Sequence, residues 1–135
     1  MGKIKEASVN YENKQTLGAE CAEIYASNLI GGQWTIAICC ILLEGKLRFG
    51  ELKKRLPRIT ERMLTLQLRK MEENKLVTRT VYAVVPPKVE YELTPIGLRL
   101  NPILIDLQKW GVAHMELMGV DTSRVTTNYA TDQDK

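Results

Sequence analysis

KLRFGELKKRLPRITERMLTLQLRKMEENKLVTRTVYAVVPPKVEYEL, residues 46–93, is the stretch that decides the fold. Its centre reads as a helix. Thr60 has the chemistry of an N-cap, and Ile59 before it and Leu64 after it have the spacing of a hydrophobic staple. At about 100° per residue, Leu64, Leu68, Met71 and the stem of Lys75 fall in one narrow sector, and Arg62, Leu66, Arg69 and Glu73 fall opposite. Thr65, Lys70 and Met63 flank the outer face. The pattern predicts a helix over about 60–74, held to a body by its apolar stripe, with Arg62 and Arg69 projecting away. Asn74 is expected to end it in the left-handed conformation. Just upstream, Arg48-Phe49 predicts a very short strand or turn. Residues 50–56 predict a short helix carrying Phe49, Leu52 and Leu56 on one face, stopped by Pro57. Two short helices, the second presenting outward arginines, form a helix-turn-helix arrangement.

Downstream, residues 76–85 are β-branched and read as extended. Pro86-Pro87-Lys88 makes a turn, placing Lys88 at its tip, and Val89-Glu90-Tyr91-Glu92-Leu93 alternates with Val89, Tyr91 and Leu93 on one face. A hairpin over 76–93, directly after the outward-facing helix, makes the predicted fold a winged helix of the α+β class, mainly α.

Charge concentrates in the same stretch. Residues 46–80 hold eleven basic side chains against four acids, a net of +7, whereas residues 1–45 and 81–135 each come to −2. The whole-chain value of +3 hides this. A local basic patch is the footprint of a polyanion binder, but charge alone does not separate it from a solvated basic face.

The rest of the chain bounds the reading. At 135 residues with 44% hydrophobic content it is one globular domain, not a disordered chain. No secretory leader is visible, and the longest apolar run, Trp34 to Leu43, is too short for a membrane span. A soluble, cytoplasmic protein is expected. Three cysteines and one histidine, His114, argue against a disulfide scaffold and against a Cys/His metal cluster. No nucleophile–base pair, phosphate-cradling glycine loop or paired carboxylates stand out, so neither an enzyme nor a cofactor is expected.

Residues 1–16 are polar and read as a mobile arm. A domain over 17–119 follows, then a flexible tail over 120–135. A first helix is predicted from Leu17 to Leu29, with Leu17, Cys21, Ile24, Tyr25 and Asn28 in one stripe, ended by Ile30-Gly31-Gly32. A second, over about 33–43, is apolar all round and expected in the core, with Gly45 as its left-handed cap. Thr94 as N-cap and Pro95 at the first position open a C-terminal helix over about 95–118, which Pro102 kinks or restarts. Its stripe (Leu100, Ile103, Leu104, Leu107, Trp110, Gly111, His114, Met115, Met118) is wider than a lone winged-helix core needs and is expected to form a dimer surface.

Several motifs carry a family resemblance. Ile30-Gly31-Gly32-Gln33-Trp34, Arg48-Phe49-Gly50-Glu51-Leu52, Ile59-Thr60-Glu61-Arg62-Met63-Leu64 and Leu68-Arg69-Lys70-Met71-Glu72 resemble the HxlR-type transcriptional regulators. So do Leu76-Val77, Val85-Pro86-Pro87-Lys88-Val89-Glu90-Tyr91, Leu93-Thr94-Pro95-Ile96-Gly97 and Trp110-Gly111, in register over roughly residues 21–111. The resemblance implies a prokaryotic winged-helix homodimer that binds double-stranded operator DNA as repressor or activator, with dimerisation helices at both ends of the chain. It makes the helix of Arg62 and Arg69 the recognition helix.

Under that reading Thr60, Arg62, Thr65, Leu66, Arg69 and Lys70 face the duplex, and Arg62 and Arg69 meet guanine edges or phosphates. Lys53, Lys54, Arg55 and Arg58 grip phosphates, which position without reading sequence, and Lys88 is the wing contact. Leu17, Ile24, Leu104, Leu107, Trp110, Met115 and Met118 are assigned to the dimer interface. A C₂ dimer implies a pseudo-palindromic operator. Leu66 departs from the family, which usually has a polar residue there, and three roles stand for it: contact with a thymine methyl, a place between protomers, or neither. Cys39 and Cys40 read as core residues. Cys21, ten residues before Gly31, stands where many family members carry a cysteine, in some of them a sensor of oxidants or electrophiles. Ala22 replaces the proline that often follows it, and a buried structural role competes with a sensor role. The identity of any oxidant or small-molecule effector is open. The alternative function is a winged-helix protein-interaction module without DNA binding.

Overall fold

The computed structural model describes residues 20–125. The arm over 1–16, Leu17 and the last ten residues of the tail lie outside the described residues. The chain divides into two units, 1–36 and 37–135.

In the N-terminal unit, helix α1 runs Ala22–Ile30 and buries none of its residues. Cys21 is not inside this helix, as the stripe implied, but is its extended N-cap, with φ −131° and ψ 111°. The Tyr25 N–H donates to the Cys21 carbonyl at 3.0 Å, the first bond of the helix. Glu23 occupies the first turn, where the positive end of the helix dipole favours an acid. The helix ends at Gly31, where a Cβ would stand 2.4 Å from the Ser27 carbonyl oxygen. Helix α2, Gln33–Leu42, begins in this unit and ends in the next.

The C-terminal unit holds the core. From α2 it takes Ile38, Cys39, Ile41 and Leu42, all buried, while Ala37, Cys40 and Leu43 are half-buried. The all-round burial expected of α2 is therefore met on one side. Gly45 follows at φ +138°, a backbone open to glycine. Strand β1 (Leu47–Arg48), helix α3 (Phe49–Arg55), helix α4 (Glu61–Glu73), strand β2 (Val77–Tyr82), strand β3 (Lys88–Leu93), helix α5 (Pro95–Leu98) and helix α6 (Leu100–Leu117) complete it. The sheet is antiparallel in the order β1-β3-β2, with Leu47 opposite Tyr91 and Val77 opposite Leu93.

The helix-turn-helix forms for the local reasons visible in its residues. Glu51 reaches back to accept from the Arg48 N–H at 2.9 Å, capping α3. Thr60 accepts from the Met63 N–H at 3.1 Å, capping α4. Ile59 and Leu64, the two ends of the staple, are both buried, as are Leu52 and Leu56 of the first helix and turn. Leu64, Leu68 and Met71 bury the inner face of α4, each worth about 1.5–3 kcal/mol relative to exposure.

The end of α4 differs from expectation. Asn74 has φ −83°, and Lys75 takes the left-handed conformation at φ +64°. The Leu76 N–H donates to the Met71 carbonyl at 2.9 Å and the Lys75 N–H to the Glu72 carbonyl at 3.0 Å, the two bonds of a Schellman closure. Its register is set by the apolar ends, Met71 and Leu76, both buried. The left-handed site then falls one residue before Leu76 whatever the residue type. Lys75 is consequently exposed rather than laid along the core sector.

Both other breaks trace to prolines. The hairpin was expected to be extended to Val85, but β2 stops at Tyr82 and the loop is 83–87. Pro86 and Pro87 have no N–H to offer a ladder, and Val84 N–H instead donates to the Tyr82 carbonyl at 2.9 Å. Lys88 is the first residue of β3, paired with Tyr82, and the loop tip is Val85, fully exposed at 100%. The single C-terminal helix is two, broken at Arg99. The ring of a helical proline clashes with the carbonyl four residues back. For Pro102 that residue is Leu98, where α5 ends.

Helix α5 is held tightly to the start of the hairpin. Thr94 donates its hydroxyl to the Lys75 carbonyl at 2.6 Å and accepts from the Gly97 N–H at 3.1 Å. A Cβ on Gly97 would lie 2.4 Å from the Leu76 carbonyl oxygen. Gly97→Ala is therefore expected to lose about 1–3 kcal/mol by overpacking, read from urea denaturation. Gly50→Ala, with open space around its site, is expected to be neutral or stabilising.

Candidate nucleic-acid interface

The outer face of α4 is arranged as its wheel implied. Arg62, Arg69, Lys70 and Glu73 are exposed, and Leu66, on the same ridge, is 49% exposed. Thr60 sits at the N-cap with its oxygen accepting from the helix, which leaves the hydroxyl hydrogen to donate outward. Arg62 lies in the first turn, the part of a recognition helix that meets base edges. Thr65 is half-buried, and its hydroxyl donates to the Glu61 carbonyl at 2.9 Å. Its hydrogen is therefore committed within the helix, and what Thr65 presents is its methyl group.

Among the flanking cations, Lys54 and Arg58 are exposed and Lys53 is half-buried. Arg55 forms an ion pair with Glu44 on the exposed surface. Lys88 does not project from the wing tip as expected. It is half-buried, 3.5 Å from Glu90 and 4.8 Å from the centre of the Tyr82 ring. The hydrogen bond between Tyr82 and Glu90 raises the Tyr82 hydroxyl above its ordinary pKa and lowers the Glu90 carboxyl below its own. The ammonium of Lys88 adds to the lowering of Glu90. The wing is thus internally paired at the end of its ladder, next to a loop that is apolar.

Sequence reasoning missed Arg79. In β2, residues 77, 79 and 81 share a face, and their partners on β3 are Leu93, Tyr91 and Val89. Along that face Val77 is buried, Arg79 exposed, and Val81 exposed. Arg79 is the position where the sheet face leaves the core beside α4. With Thr65, Arg69, Glu72 and Tyr91 it lines a groove of about 290 Å³. The alternation Val77-x-Arg79 was visible in the sequence, but the register that sets it against α4 was not.

The residues assigned to a dimer surface divide. Leu104 is 1% exposed, inside its own protomer's core with Ile105, so it is not an interface residue. Met115, half-buried, falls on the Leu104 side of the helix wheel. Leu107, Trp110 and Met118 are exposed, with Trp110 at 66%. Ile103 and Leu117 join them, and the spacing 103, 107, 110, 114, 117 is a heptad seam. His114 stacks on Trp110 within it, ring centres 5.3 Å apart. Ile24 on α1 is half-buried.

Of the cysteines, Cys39 is buried, and burial, then neighbouring Cys40, push its thiol up to about 12. Cys40 is half-buried. Cys21 is partly exposed, and its thiol donates to Glu23 at 3.6 Å. Among the described residues no three His, Cys, Asp or Glu side chains group to hold a metal, and no single helix is long and apolar enough to cross a membrane.

Comparison with known proteins places this geometry. The family described as HxlR-like helix-turn-helix matches residues 29–118. An uncharacterised HTH-type transcriptional regulator of Methanothermobacter thermautotrophicus is 50% identical over 91 residues, 67% of this chain and 70% of that protein. YybR of Bacillus subtilis, also described as an uncharacterised HTH-type transcriptional regulator, is 41% identical over 108 residues, 80% of this chain and 83% of its own. The solved structure described as the redox regulator HypR in its reduced form is similar at a TM-score of 0.69 and 40% identity, covering 73% of this chain and 98% of that one. With a capped, outward-facing α4, a paired hairpin behind it and the family match spanning both, the chain belongs to the HxlR-like helix-turn-helix family and is a DNA-binding transcriptional regulator.

Proposed function

We propose that the chain acts as a homodimer on a pseudo-palindromic operator, with α4 in the major groove and Arg62 reading base edges. The observation that carries this is the outer ridge of α4. It is capped and stapled to the body at one end and closed by Met71 and Leu76 at the other, so it presents Arg62 at a fixed height above the core. A guanidinium offers a bidentate fork to the guanine O6 and N7 pair. Leu66 on the same ridge offers an apolar contact of the kind a thymine methyl accepts. Thr60, Lys54 and Arg58 fit phosphates, and Thr65 and Lys70 lie on the flanks of the ridge.

The exposed seam of α6 supports dimerisation. Ile103, Leu107, Trp110 and Leu117 (81% exposed) make an apolar stripe at heptad spacing on a helix whose other side is already buried. Exposed apolar surface of that extent and periodicity marks an association face, and a second copy of the same helix supplies a matching seam. Leu107, Trp110 and Met118 keep the role assigned from sequence.

For a thiol signal, which the HypR structures' descriptions attribute to that protein as redox regulation, Cys21 is the candidate in this chain. It is partly exposed at the mouth of α1, while the Cys39 thiol is buried and held protonated.

Three outcomes test these assignments. Arg62→Ala is expected to remain dimeric and to lose about 1–3 kcal/mol of discrimination at one operator position, measured by binding to single-base operator variants; unchanged preference at every position refutes the reading role. A protein-interaction module would show no duplex binding whose affinity falls steeply with salt. Trp110→Glu is expected to shift sedimentation from dimer toward monomer and weaken operator binding, and a variant that stays dimeric rejects the α6 seam. For Cys21, a mild oxidant is expected to change DNA affinity of the wild type and leave Cys21→Ser unaffected; equal responses exclude it.

A further inference from the structure

We propose that the groove between α4 and β2 is a clamp for one backbone phosphate of the duplex, formed by Arg69 and Arg79. This rests on the duplex-binding reading and adds to it a residue, Arg79, outside the recognition helix. Two guanidinium side chains, one from each element, line a single groove of about 290 Å³ with Thr65, Glu72 and Tyr91. Among the described residues neither arginine is held in an ion pair, although Glu72 lines the same groove. The nearby carboxylate sets the net side-chain charge there at +1 and leaves both forks available. Thr65 adds no donor, because its hydroxyl already donates to Glu61.

The size and lining favour a charged, open ligand over a small apolar effector. The groove is at the low end of small-molecule pocket volumes, roughly 300–1,000 Å³, and lacks their mostly apolar walls. Two arginines lining one groove instead offer guanidinium donors suited to the oxygens of a phosphate.

The placement favours the duplex as the source of that phosphate. An α-helix with side chains is about 10–12 Å across and the major groove is about 12 Å wide, so a helix seated there meets phosphate walls on its flanks. Arg69 and Thr65 lie on the flank of α4 that faces β2, and Arg79 stands across from them on the sheet face it shares with its partner Tyr91. A strand running along that flank passes between helix and wing. Arg69, which the sequence left between base and phosphate, is assigned here to phosphate, and Arg62 alone keeps the reading role among the arginines.

The test is a salt titration of duplex binding by wild type, Arg79→Gln and Arg79→Lys, with circular dichroism to confirm folding. Arg79→Gln is expected to weaken binding roughly tenfold on every sequence and to lower the salt slope by about one for each protomer bound. Operator preference should be unchanged and Arg79→Lys should restore the slope. In a duplex scanned with neutral methylphosphonates, one position per half-site should cost the wild type roughly tenfold and Arg79→Gln less, because Arg69 still faces that phosphate. Wild-type affinity and slope in Arg79→Gln, with Arg62→Ala still flattening the preference, would overturn the clamp and leave the recognition helix standing. Absence of duplex binding by the wild type would overturn both. Saturable binding of inorganic phosphate, lost in Arg79→Gln without a change in DNA salt slope, would make the groove a free-anion site and overturn the duplex assignment.

Discussion

Leu76 is the residue on which the helix-turn-helix and the hairpin jointly depend. Its N–H closes α4 by donating to the Met71 carbonyl, and its carbonyl accepts from the Thr94 N–H at 3.0 Å. Its side chain is buried, and its carbonyl is the surface on which Gly97 packs too closely for any side chain. One peptide position thus ties the end of α4 to the root of the hairpin and to the start of α5. The buried groups are mutually satisfied, which is the condition for such a junction to be rigid. If the closure loosened, α4 and the wing would keep their local structures but lose their fixed relation.

That fixed relation is what turns two ordinary elements into one surface. From Leu76 the strand leaves as Val77, buried, and two residues on as Arg79, exposed. From the same junction α4 runs back through Glu72, Arg69 and Thr65. Register in a strand has a period of two, so a one-residue slip at Leu76 would turn Arg79 to the opposite sheet face and expose Val77. The burial of Val77 and Leu93, paired across the ladder, resists that slip and so decides where the second guanidinium points.

What could be read from the sequence was what local rules control. The caps at Thr60 and Thr94, the Ile59–Leu64 staple and the inner stripe of α4 each depend on residues within one or two turns, and each stands where its pattern placed it. The misreadings came from forces acting at a distance or from geometry overriding residue type. Asn74 is the better left-handed residue by type, but the burial of Met71 and Leu76 gave the position to Lys75. Val84 and Val85 have strand propensity, yet the two prolines after them removed the donors a strand would need. Pro102 broke its helix four residues upstream, at Leu98. In α6 the apolar stripe was wide because it serves two faces, and only burial separates Leu104, turned inward, from Leu107 and Trp110, turned out. Arg79 was hidden because its meaning lies in a cross-strand register.

The +7 of residues 46–80 also becomes selective once partners are assigned. An exposed ion pair contributes at most about 1 kcal/mol, so Arg55 can leave Glu44 for a phosphate at little cost. Lys88 is differently placed: Glu90 and the Tyr82 ring both hold its ammonium, and moving it to DNA would break two contacts and free a carboxylate beside the phosphates. Arg62, Arg69 and Arg79 have no such ties among the described residues and lie on the ridge or in the groove beside it. Contact with DNA is favoured where a charge meets a phosphate or base without first abandoning a partner. By that criterion Arg79, at the root of the wing, is freer to meet a phosphate than Lys88 at the end of the ladder, and the loop around Val85 carries no charge.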